Sequence, residues 1–80
     1  MFFSKNEKDK NLSNAKIGQT VQIKRVEGKD KVKNFLTTLG CFEGESVTLI
    51  SILAGNYVIN IKDSRYAIDS GMAKSILIEV

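Results

Sequence analysis

Histidine, proline and tryptophan are absent from this 80-residue chain, and cysteine occurs once. Without histidine there is no Ser/His or Cys/His nucleophile–base pair, and no G-x-x-x-x-G-K phosphate loop appears, so the chain is expected not to be an enzyme. A single cysteine cannot close an intramolecular disulfide. Cys41 is also the only thiol ligand, and the nine Asp and Glu residues are scattered rather than set at ligand spacing, so neither a metal site nor a cofactor is expected. The apolar runs are only a few residues long, too short to span a bilayer or to form the core of a signal peptide. A reducing, cytoplasmic setting fits these absences. Lack of tryptophan argues against the aromatic-lined groove that reads proline-rich peptides. There is no internal repeat.

What is present is enough for one small globular domain. Apolar residues make up 42% of the chain, and a domain of this size buries only about 60% of the surface its unfolded form exposes. The net charge is +3 and the isoelectric point about 9.1, with much of the excess in Lys5, Lys8, Lys10 and Lys16. Such a balance favours solubility and, weakly, anionic partners. Residues 1–11 carry no periodic apolar stripe and are expected to form a flexible N-terminal extension, with Leu12 the first residue tucked against the domain. Phe2 and Phe3, backed by lysines, admit a second reading as a membrane toe-hold without direct insertion.

From Thr20 onward, Val21, Ile23 and Val26 mark a β-branched strand that Gly28 ends. Asp30 is the expected cap of a helix whose apolar residues Val32, Phe35, Leu36 and Leu39 fall at helical spacing and stop at Gly40. If Gly40 is the left-handed residue that ends the helix, Cys41 lies where it can touch Leu36, and Gly44 opens the next turn. Ser46 to Leu53 reads as one long, bent strand. Ala54-Gly55-Asn56 then turns the chain into Tyr57–Ile61, whose Tyr57, Ile59 and Ile61 share a face. A second turn around Lys62-Asp63-Ser64 leads to Arg65–Ile68. Ser70 to Lys74 can form a single helical turn, capped by Asp69 or Ser70, with Ala73 pointing inward. The last strand places Ile76, Ile78 and Val80 on one face and Leu77 and Glu79 on the other. The expected fold is mainly β: a small, closed, five-stranded SH3-like barrel with one helix after the first strand and a one-turn helix before the last.

Four segments carry a resemblance: Lys16-Ile17-Gly18-Gln19-Thr20-Val21, Leu36-Thr37-Thr38-Leu39-Gly40-Cys41-Phe42-Glu43-Gly44, Tyr66-Ala67-Ile68, and Ala73-Lys74-Ser75-Ile76-Leu77-Ile78. In this order and spacing the chain from Leu12 to Val80 resembles the FeoA family, the small cytoplasmic component of bacterial ferrous iron uptake. The family usually has an aliphatic residue where Cys41 stands, often proline where Glu43 stands, and commonly a proline in the turn entering the fourth element. The same barrel ends the DtxR-like metal-dependent repressors, but no helix-turn-helix region accompanies it here. The resemblance implies an interaction or regulatory role beside FeoB, a membrane iron transporter with a cytosolic GTPase domain.

A domain without a catalytic constellation acts through its surface. The expected partner contact is the turn after the helix, Gly40, Cys41, Phe42 and Glu43, where the departures at Cys41 and Glu43 would tune partner choice. Burial of both Cys41 and Phe42 under the helix, and exposure of one of them, both stand as readings; Leu53 is expected in the core. Arg25 and Arg65 could serve a partner GTPase as an arginine finger, against the plainer reading of solvated side chains. A generic SH3-like peptide or protein adaptor ranks next. A nucleic-acid binder, drawing on Lys24, Arg25, Lys29, Lys31 and Lys33, ranks last because only Tyr57 and Tyr66 could stack on bases, and no nucleic acid is expected as partner. Weak self-association stays open.

Overall fold

The computed structural model describes residues 10–79. Phe2, Phe3, the rest of residues 1–9, and Val80 therefore lie outside the described residues. Six strands form one antiparallel sheet: β1 (Lys10–Asn11), β2 (Thr20–Val26), β3 (Ser46–Leu53), β4 (Asn56–Ile61), β5 (Ser64–Asp69) and β6 (Ile76–Glu79), in the spatial order β1-β6-β2-β3-β4-β5. Two helices complete the fold, α1 (Asp30–Leu39) and α2 (Ser70–Ser75), with a 3₁₀ turn at Leu12–Asn14. The architecture is mainly β, as expected, with six strands instead of five.

The extra strand is β1. Lys10 and Asn11, inside the stretch expected to be an extension, pair with Ile78 and Leu77 of β6. Two residues are too few for any periodic signal, so only the neighbouring strand reveals them. Barrel closure also differs from expectation. Among the described residues no ladder joins β5 to β1; α2 instead packs against β5, β4, β1 and the 3₁₀ turn, with Ala73 fully buried beneath it. Asp69 caps α2, its carboxylate accepting from the Met72 amide at 2.8 Å.

Alternation along the strands builds the core. Val21 and Ile23 of β2, Val47 and Leu49 of β3, Ile59 and Ile61 of β4, Ile68 of β5, and Ile76 and Ile78 of β6 all point into one cluster with Leu12, Leu36, Cys41 and Ala73. Bulges bend the sheet in two places, at Lys24 between Ile23 and Arg25 and at Ile50 between Leu49 and Ser51. The second bulge makes β3 the long, bent strand its pattern suggests. Past it, Ile52 and Leu53 emerge at the end of the sheet, and Leu53 is 65% exposed, not in the core as expected. Leu77 is buried although it faces away from the cluster, between Asn11 and Arg25 of the flanking strands.

Both hairpins turn on two residues at positive φ, Ala54–Gly55 and Lys62–Asp63, so Asn56 and Ser64 already belong to strands. Helix α1 begins one residue earlier than expected. Lys29 is the cap position, its carbonyl accepting from the Lys33 amide at 3.0 Å, and Asp30 is the first helical residue, where its charge suits the helix dipole. The apolar stripe of α1 is narrower than its spacing suggests: Leu36 is fully buried, Val32 and Leu39 flank it, and Phe35 is 43% exposed.

Candidate functional site

The turn that ends α1 is a doubly bonded helix stop. The Gly40 amide donates to the Thr37 carbonyl at 2.9 Å and the Cys41 amide to the Leu36 carbonyl at 3.0 Å, the paired bonds of a Schellman motif. This closure requires a left-handed residue, and Gly40 has φ of +100°. It also carries Cys41 back under the helix, where it joins Leu36 in the core. Burial pushes the Cys41 thiol up from its ordinary 9.0 to about 11 by disfavouring the thiolate. Cys41 is thus an inert anchor, and of the two readings weighed for the turn the structure places Cys41 inside and Phe42 outside.

Phe42 is 47% exposed, and the backbone around it is pinned on both sides. Its amide donates to Gly40 and its carbonyl accepts from Glu45, while the Gly44 amide donates to the Ile23 carbonyl at 2.7 Å and the Ile23 amide to the Glu45 carbonyl at 2.8 Å. The turn is therefore stitched to β2, and the ring stands on a rigid base. The Lys62 ammonium lies 5.9 Å from the ring centroid and 3.4 Å from Glu45 Oε2. A cation over an aromatic face with a carboxylate beside it is a weak, solvated arrangement, worth at most about 1 kcal/mol, that orients the ring without covering it. Gly40 meets the same hairpin from below, since a β-carbon there would stand 3.5 Å from Ile61 Cγ2.

The four expected contact residues thus divide: Gly40 shapes the turn, Cys41 anchors it, and Phe42 and Glu43 are displayed. Lys62 and Glu45 belong to the same ledge and were not expected there. Neither is legible locally: the pairing of β3 with β4, which sets Asn60 opposite Thr48, brings the Lys62 turn alongside the segment that carries Phe42 and Glu45 into β3. A second exposed apolar group, also unexpected, lies at the far end of β3. It comprises Ile52 and Leu53; Ile17, ahead of β2, is a further exposed apolar residue.

The remaining candidates are placed differently. Arg25 forms an ion pair with Glu27 at 2.8 Å, and Arg65 is exposed on β5. Tyr57 and Tyr66 pack against the core, so neither is a free stacking platform. Among the described residues no three His, Cys, Asp or Glu side chains stand together as a metal-binding group, and no helix is long and apolar enough to cross a membrane.

The fold has close counterparts among solved structures. An iron uptake regulatory protein, FeoA, superposes with a TM-score of 0.80 at 20% identity, over 88% of this chain and 93% of that one. A FeoA-like protein from Clostridium acetobutylicum matches with a TM-score of 0.82 at 19% identity, over 91% of this chain and 87% of its own. The zinc-complexed FeoA of Stenotrophomonas maltophilia, described as an SH3 domain protein, matches with a TM-score of 0.77 at 19% identity, over 86% of this chain and 88% of its own. No protein with a curated description matches. At these identities the likeness carries the SH3-like fold. The FeoA domain model, however, matches residues 10–80, from the first strand through the last residue, and the chain therefore belongs to the FeoA domain family.

Proposed function

We propose that this protein is a cytoplasmic accessory of ferrous iron uptake that acts by binding, docking on a FeoB-like membrane iron transporter through the turn from Gly40 to Glu43. The family ties the chain to ferrous iron transport, and the description of the Stenotrophomonas maltophilia relative raises the role of a transport activating factor for that protein. The observation that carries the choice of surface is Phe42, a half-exposed aromatic on a turn bonded to both α1 and β2. Binding energy concentrates in such aromatic anchors, because a rigid ring loses little conformational freedom on contact. Glu43, Glu45 and Lys62 around it supply a polar rim. The protein itself contributes no chemistry in this reading; it changes what the transporter does by occupying a surface of it.

Co-purification with the cognate transporter tests the reading. Phe42→Glu is expected to leave the melting curve of the isolated protein nearly unchanged and to abolish retention by the transporter. Leu53→Glu, which alters the exposed apolar group at the other end of β3, is expected to bind normally. A folded Phe42→Glu variant retained as well as the unaltered protein rules out the turn as the contact.

A further inference from the structure

The far edge of the sheet is β5, which pairs only with β4 among the described residues. The Lys62–Asp63 turn is a two-residue hairpin, so its flanking pair, Ile61 and Ser64, exchanges both backbone hydrogen bonds. Bonded pairs alternate along an antiparallel ladder, which makes Ile59 with Tyr66 and Tyr57 with Ile68 the next two. The intervening residues of β5, Arg65, Ala67 and Asp69, therefore turn their peptide groups away from β4. Among the described residues no strand pairs with that side of β5, and no turn or cap bond uses the peptide groups of Arg65 or Ala67. Asp69 spends its carbonyl on α2 as the cap residue but keeps an outward N–H.

We propose that two copies of this chain pair along this edge, antiparallel and centred on Ala67, to form a two-fold dimer. In that register Ala67 faces Ala67 of the second copy, and Arg65 faces Asp69 twice, so the charges along the edge are self-complementary. Ala67 is small and exposed, leaving no side chain in the way at the centre. One Asp69 oxygen accepts from Met72, and the other is left for the arginine opposite. Shifting the register by two residues either way removes both opposite-charge pairs, and shifting it by one opposes outward peptide groups to inward ones. The dimer forms about four backbone hydrogen bonds over a short edge, which makes it weak and visible only at high concentration. Because the strands run in opposite directions, the Phe42 ledges of the two copies point opposite ways.

Sedimentation and amide hydrogen exchange on the full chain, from about 0.05 to 1 mM, test this. The mass is expected to rise towards a dimer, with the Ala67 and Asp69 amides slowing several-fold while those of Tyr66 and Ile68, already bonded to β4, stay constant. Ala67→Pro deletes an outward N–H without touching the β4 ladder, so it is expected to fold and remain monomeric. Should that variant not fold, Arg65→Glu, which sets Glu against Asp69 on both rows, is expected to weaken association at least tenfold. A monomer at every concentration overturns the proposal, whether its edge amides exchange freely or are already protected by its own chain. So does a dimer that survives Ala67→Pro, or Arg65→Glu, unchanged.

Discussion

Leu36→Ala probes how α1 is held to the sheet. Leu36 is fully buried at the centre of the helix stripe, while Val32 and Leu39 are only partly covered. Truncation removes about three methylene equivalents at ~0.8 kcal/mol each, or roughly 2.4 kcal/mol of transfer free energy. A cavity term adds to this, because the surroundings cannot easily close in: Cys41 is tied to the helix by the Schellman bonds, and the following turn is tied to Ile23. The total should come to about 3 to 4 kcal/mol, within the range of about 2 to 5 for such truncations. A domain of this length has roughly 4 to 12 kcal/mol in all, so the variant should sit near the edge of unfolding, with its midpoint lowered by about 12 to 30 °C. Urea denaturation followed by circular dichroism reads the difference directly. Phe35→Ala, one residue away but exposed, should cost less than about 1 kcal/mol. A Leu36→Ala loss under about 0.5 kcal/mol, or equal losses for the two variants, would show that α1 does not pack as described.

Two further changes test the turn from inside. Gly40→Ala should cost about 1 to 2 kcal/mol through backbone strain at φ +100° and not through a clash, since the new β-carbon meets Ile61 at an ordinary 3.5 Å; Gly40→Asn should cost less, and thermal unfolding that finds alanine neutral refutes the left-handed stop. Burial raises the folded-state pKa of Cys41 to about 11 from 9.0, so the thiol's contribution to stability is fully present below pH 9 and is lost as pH rises through about 11. The stability gap between the unaltered protein and Cys41→Ala should therefore be flat up to pH 8 and shrink by up to about 2 to 3 kcal/mol towards pH 11, a result that a pH-independent gap would contradict.

Much of the fold was legible because the signals are local. Alternation in Val21, Ile23, Ile59, Ile61, Ile76 and Ile78 needs no partner strand to be read, and the helix stop at Gly40 is written in the residues that form it. So is a cap at the start of α2, narrowed to Asp69 or Ser70, because capping joins a side-chain oxygen to an amide two or three residues on; the Met72 amide decides for Asp69. Strand β1 was illegible because two residues cannot show a period, and closure by α2 because it depends on which elements meet across the molecule. Leu53 and Phe35 were misplaced for a common reason: spacing reports the direction in which a side chain points, and burial depends on whether anything lies there.

The candidate site shows the same division. The sequence by itself determined a rigid turn with a cysteine and a phenylalanine in it, since a glycine at the end of an apolar helical stripe leaves the backbone little choice. Which of the two faced water was decided only by tertiary structure, because the six-residue closure directs Cys41 under α1 and the bonds to Ile23 direct Phe42 away from it. Tertiary structure alone also brought Lys62 to the Phe42 ring, and it left β5 at the edge of the sheet. Contacts between residues twenty positions apart arise from strand order and register, and those are properties of the assembled sheet rather than of any segment within it.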